Sequence, residues 1–232
     1  MVSVVHAARM PEHQLTISPF HDFTALALLT SVLVRGINNL SDARYCAGMG
    51  ADFLTFRLDP ALPGAVTPEL VQELSGWVAG VELIGEFGTM PAEQINALAR
   101  QCGLHAVLLH GLRSVEEMDE LALPAWLLVG WVPDMLPEDV DRRFQLLAPH
   151  VAGFVFAELP PQPLTEAQLT RLTEQARTYP IWLAPGFAPG TVRQLLDAVQ
   201  PRGLVLEGGD EIRPGVRDFS EMETVFEELE VD

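Results

Sequence analysis

Between Val32 and Leu229, short apolar runs and amphipathic segments alternate eight times, and this rhythm constrains the fold of the 232-residue chain more than any other feature. The apolar runs predict strands near Val32 to Arg35, Phe53 to Arg57, Val81 to Gly85, Ala106 to His110, Trp126 to Trp131, Gly153 to Ala157, Ile181 to Ala184 and Leu204 to Glu207. The segments after them predict helices over Leu40 to Gly48, Pro68 to Val78, Ala92 to Cys102, Val115 to Leu121, Glu138 to Leu147, Glu166 to Thr178, Thr191 to Val199 and Ser220 to Leu229. The strands are almost wholly apolar, as in Ala125 to Val129, which fits parallel strands covered on both faces. Helix starts carry matching chemistry: Thr67 before Pro68 and Glu69, and Thr165 before Glu166, put a cap and a negative charge at the positive end of the helix dipole. Eight such units close into a (β/α)8 barrel over residues 31–232, whose functional groups gather at the carboxyl ends of the strands.

Residues 1–30 form an N-terminal extension expected to pack on the barrel, with Leu15 to Ile17 as an extra strand and Phe23 to Leu29 as a short helix. It would cap the closed end or make a dimer contact, so a homodimer is among the expectations. His6, His13 and His21 share no helical or metal-binding spacing.

Charge excludes several functions. The chain has 32 acids against 14 bases, a net −18, and every base is arginine. Without lysine there is no Schiff-base nucleophile and no lysine phosphate clamp. An acidic surface also disfavours nucleic acid and anionic membranes as partners, since both bind through positive charge. No apolar run is long enough to span a bilayer, and no basic start leads directly into an apolar segment, so no signal peptide is expected. Cys46 and Cys102 lack metal-ligand spacing and read as reduced core thiols of a cytoplasmic protein. Neither a metal nor another cofactor is expected.

The first unit is the most specific. In SVLVRGINNLSDARYCAGMGADFLTF, Ser31 to Phe56, Asn38 and Asn39 can cap the helix and Gly50 can end it in the left-handed conformation. Leu33 to Ile37, the run Asp42-Ala43-Arg44-Tyr45 and the run Met49-Gly50-Ala51-Asp52 together resemble the opening of the phosphoribosylanthranilate isomerases of tryptophan biosynthesis. The resemblance runs from about residue 32 to 229. It implies an Amadori rearrangement, in which a general acid opens the ribose ring of an aminoaldose and a general base removes the C2 proton.

The family's catalytic positions are altered. Its cysteine after strand one corresponds to Arg35, its aspartate after strand six to Ala157, and its substrate-holding arginine after strand two to Gly64. A guanidinium stays protonated and is no base. Arg35 is therefore either a clamp for a carboxylate or phosphate, or the partner of a nearby acid in the barrel mouth. Glu158, one residue past Ala157, is either an exposed loop residue or a displaced catalytic acid, and His110 at the end of strand four is either structural or a displaced base. Gly186, Gly208 and Gly209 resemble the family's phosphate loops after strands seven and eight and serve either to admit an anion or only as turns. Pro185 removes one amide donor there, and Glu207 adds a negative charge.

The leading expectation is an isomerase-like barrel whose Amadori activity is impaired or lost and whose mouth binds a small phosphorylated or carboxylate metabolite. The alternative is an active isomerase using Glu158 as acid and His110 as base. A different isomerase or aldolase reaction on the same scaffold is a third reading.

Overall fold

The computed structural model describes residues 28–111, 113–130, 137–157, 159, 164–184, 190–208, 210–213 and 216–231. Eight parallel strands pair in chain order and close on themselves: β1 (Ser31–Arg35), β2 (Phe53–Arg57), β3 (Glu82–Phe87), β4 (Ala106–His110), β5 (Ala125–Gly130), β6 (Gly153–Ala157), β7 (Ile181–Leu183) and β8 (Gly203–Glu207). The helices between them are α1 (Leu40–Gly48), α2 (Pro68–Ser75), α3 (Ala92–Cys102), α4 (Val115–Asp119), α5 (Pro137–Leu147), α6 (Glu166–Thr178), α7 (Val192–Val199) and α8 (Ser220–Leu229). This is the (β/α)8 barrel that the alternation predicts.

Local chemistry explains the boundaries. Asn39 caps α1 by accepting from the amide of Asp42, and Thr67 caps α2 by accepting from Leu70 with Pro68 in the first turn. Thr165 and Gln168 form a reciprocal capping box on α6. Gly50, at φ +89°, takes the left-handed conformation that follows α1. The second helix stops at Ser75 rather than Val78 because Gly76 caps it. The third strand runs two residues past the expected Gly85 to include Glu86 and Phe87. After β8, a hairpin of β9 (Asp210–Arg213) and β10 (Val216–Asp218) occupies a stretch that the sequence reading treats only as a loop.

The extension falls mainly outside the described residues, as do the expected strand end at Trp131 and the residues Glu158, Pro185, Gly186 and Gly209. Where the description begins, Leu28 bridges Glu230 and the Leu29 amide donates to the Leu229 carbonyl, joining the chain before β1 to the end of α8.

Period-two alternation sorts the strand residues. Val34, Leu54, Val107, Leu127, Phe154 and Leu204 belong to the larger core cluster, and Phe226 and Leu229 of α8 belong to the same cluster. Leu33, Ile84, Leu108, Trp126, Val155, Trp182 and Val205 form a second cluster inside the barrel. Cys46 and Cys102 are both buried, and burial followed by Asp42 pushes the Cys46 thiol up to about 12, so it stays protonated. In the interior the rings of Trp126 and Trp182 stack at 4.8 Å, with Phe53 edge-on to both. Glycine makes room for them: Gly153 pairs with Trp126 and Gly203 with Trp182, and a Cβ at Gly203 would lie 2.2 Å from the Trp182 ring. Gly203→Ala is accordingly expected to cost about 1–3 kcal/mol through overpacking, read as a lower thermal midpoint in a tryptophan-fluorescence melt.

Candidate active site at the barrel mouth

The alternation that places Leu33, Ile84, Leu108 and Val205 inside the barrel brings Arg35, Glu86, His110 and Glu207 inward two residues later, at the carboxyl ends of their strands. Strand register does the rest. Arg35 lies opposite Glu207 across the β1–β8 pair, and Arg57 opposite Glu86 across β2–β3. Five consecutive strands, β8, β1, β2, β3 and β4, thus each carry a charged or titratable residue at their last inward position. On the other arc the same inward positions hold Gly130, Ala157 and Ala184. The mouth is polar on one side and lined by small residues on the other.

Glu86 is the centre of the polar arc, and its side chain is fully buried. Arg35 grips it side-on, Nε donating to Oε1 at 3.3 Å and Nη2 to Oε2 at 2.7 Å. The Thr55 hydroxyl donates to Oε1, and His110 Nε2 lies 2.8 Å from Oε2. Burial alone would raise the Glu86 pKa. The hydrogen bond from His110, the Arg35 charge and bonds, and the Thr55 bond outweigh it and hold the carboxyl at about 2. Glu86 is therefore an ionised anchor rather than a proton donor.

His110 follows from this. Its Nε2 faces an ionised carboxylate and, at 3.5 Å, Arg35 Nη2. A carboxylate can only accept, so Nε2 donates to Glu86 at the shorter distance, the longer approach of Arg35 Nη2 is not a hydrogen bond to that nitrogen, and Nδ1 is left to exchange a proton at the mouth. The imidazole side chain is one-quarter exposed at the mouth. A solvent-reaching ring held from behind by a buried carboxylate is an arrangement suited to proton transfer.

Arg35 is deeply buried and paired to two acids, Glu86 and, through Nη1 at 2.7 Å, Glu207 Oε1. Of the two roles open to it in the sequence, the pairing with neighbouring acids is present in the fold. Glu207 does not go uncompensated for want of lysine, because Arg57 Nη2 also donates to its Oε2 at 3.1 Å. The Arg57 guanidinium sits between two turns that lack side chains: a Cβ at Gly36 (φ +71°) would lie 3.0 Å from Nη2, and one at Gly64 (φ +71°) 3.3 Å from Nη1. The turn at Gly64 thus receives a guanidinium from β2, with Arg57 Nη1 donating to the Pro63 carbonyl.

Ala157 ends β6, and with its methyl it supplies no acid. Glu158, Gly186 and Gly209 lie outside the described residues. The amide of Gly208 donates to the Arg35 carbonyl at 2.8 Å, tying the β8 turn to the β1 turn. Glu86, Arg57 and Thr55 were not singled out from the sequence. The signal that would have found Glu86 and Arg57 is the last inward position of each strand, and Thr55 is the inward position before Arg57. Among the described residues no three His, Cys, Asp or Glu side chains are placed to hold a metal ion.

No protein-family model matches the chain. It is 30% identical over 213 residues to the N-(5'-phosphoribosyl)anthranilate isomerase of Chlorobium luteolum, covering 84% of this chain and 94% of that protein. It is 29% identical over 199 residues to the enzyme of the same name from Geobacter sulfurreducens, covering 82% and 93%. Among solved structures, the phosphoribosylanthranilate isomerase of Thermotoga maritima superposes with a TM-score of 0.70 at 23% identity, over 84% of this chain and 96% of that one. That of Thermus thermophilus gives 0.68 at 23%, over 85% and 97%. With a barrel of the same architecture and near-complete coverage of relatives at this identity, the chain belongs to the phosphoribosylanthranilate isomerase family.

Proposed function

We propose that the protein is an aldose–ketose isomerase acting on a small phosphorylated aminosugar at the carboxyl end of the barrel, with His110 as its proton-transfer group. The observation that carries this reading is the 2.8 Å contact between His110 Nε2 and the buried Glu86. A carboxylate there fixes the ring tautomer and stabilises the imidazolium formed when Nδ1 takes the C2 proton. Glu158, one residue beyond Ala157, is the proposed acid for ring opening. Relatives named for isomerisation of phosphoribosylanthranilate favour this active reading over the expectation of a lost activity. One solved relative is in complex with reduced 1-(o-carboxyphenylamino)-1-deoxyribulose 5-phosphate, which supports a ligand bearing both a carboxylate and a phosphate. On this reading the protein works in the cytoplasm. Another relative's structure is of monomers generated from a dimeric enzyme, which keeps a homodimer among the expectations here.

A second reading is favoured by Arg35 and Ala157, which stand where the resemblance places the catalytic cysteine and aspartate. On it the isomerisation is lost and the mouth only binds an anionic metabolite. Complementation separates the two. In a host lacking its own isomerase gene, the first reading predicts growth without tryptophan that requires His110; absence of growth despite expression of folded protein contradicts it.

A further inference from the structure

The two carboxylates of the mouth are held differently. Glu86 is fully buried and takes donors from Arg35, Thr55 and His110, so it is part of the framework. Glu207 is 43% exposed, and among the described residues it takes side-chain donors from the two guanidiniums: Arg35 Nη1 to Oε1 and Arg57 Nη2 to Oε2. One exposed carboxylate therefore bridges two arginines with one oxygen on each. The Arg57 guanidinium itself lies in a slot between Gly36 and Gly64, and its side chain is one-quarter exposed. Burial and the charge of Glu86 both raise the Glu207 carboxyl above its usual range, opposed by Arg35, Arg57 and His110, which marks it as the less firmly ionised of the pair.

We infer that Glu207 is an internal stand-in for a ligand oxyanion, and that a small carboxylate or phosphate group binds the mouth by displacing Glu207 from Arg57 and Arg35. The geometry demanded of the incoming group is the one Glu207 already shows: two oxygens on one centre, each meeting a separate guanidinium. Carboxylates and phosphates share it. With Glu207 in place the charges of the two guanidiniums and the two carboxylates cancel. Displacement leaves the arginines with one unit of positive charge for the ligand. The exchange also makes binding conditional, because a neutral sugar offers nothing to replace Glu207 and gains no such contact. This inference rests on the reading of the mouth as a ligand site but not on the isomerase reaction.

Isothermal titration calorimetry with two probes, inorganic phosphate and benzoate, tests it on the full chain. Glu207→Gln removes the competing charge and keeps the shape, so at least one probe should bind it about tenfold or more tighter than the unmodified protein. The probe that gains identifies the oxyanion class. Combining Glu207→Gln with Arg57→Met should abolish the gain. A folded Glu207→Gln protein that binds neither probe more tightly overturns the inference, as does a gain that survives Arg57→Met. Should Glu207→Gln fail to fold, arginine side-chain NMR of the unmodified protein decides. Phosphate or benzoate must then shift the Arg57 Nε–H resonance, and an unmoved resonance at saturating probe contradicts the inference. Loss of the isomerase reading alone would leave the anion gain in place, so the two failures are distinguishable.

Discussion

Glu86→Ala is expected to lower the stability of the barrel by about 3–5 kcal/mol, because it leaves the guanidinium of Arg35 buried with half its partners gone. For a chain of this length that corresponds to a fall in thermal midpoint of roughly 6–20 °C. Glu207 still holds Arg35 Nη1, which keeps the loss below that of a wholly orphaned charge. Thr55 and His110 lose their acceptor in the same step. The measurement is a calorimetric or circular-dichroism melt, and a midpoint within about 2 °C of the unmodified protein, less than 1 kcal/mol on the same scale, would contradict the anchoring role.

Acid makes the same point from the other side. The folded Glu86 carboxyl titrates at about 2 against an ordinary 4.5, so its stabilising contribution is complete above about pH 4.5 and is lost as pH falls toward 2. That difference is worth roughly 3 kcal/mol. Glu86→Gln should flatten the decline in stability across this window relative to the unmodified protein, in denaturant melts run at stepped pH.

His110→Ala is expected to lower turnover by about 10²–10⁴-fold, the usual contribution of a positioned general base. Stability should change little by comparison, since Glu86 keeps two donors from Arg35 and one from Thr55. Free imidazole should restore part of the rate in that variant, which a merely structural histidine would not allow. Turnover of His110→Ala within threefold of the unmodified enzyme would remove His110 from the chemistry.

The barrel was legible because its signals are local. Apolar runs, Asn39, Thr67 and Thr165 as caps, and Gly50 as a helix stop each act within a few residues, and the eightfold repeat of such units has one natural closure. The site was legible only in part. Arg35, His110 and Glu207 stand at strand ends that the apolar runs mark. Glu86 was hidden because the run in β3 reads as finished at Gly85, whereas the strand continues to Phe87. A strand apolar on both faces shows no alternation, so nothing in the run itself says which face looks into the barrel. The partnership of Arg35 and Glu207 joins residues 172 positions apart and depends on the register of the closing strand pair. The packing of Arg57 against Gly36 and Gly64 likewise requires the fold of two turns.

On the proposed function, the mouth performs proton transfer on an aminosugar phosphate through His110 held by Glu86. The most direct measurement is turnover of phosphoribosylanthranilate, followed as loss of its fluorescence, by protein purified from a host whose own isomerase gene has been deleted. Turnover well above background that collapses in His110→Ala is expected. Turnover at background in a folded protein would contradict it and leave the mouth as a binding site alone.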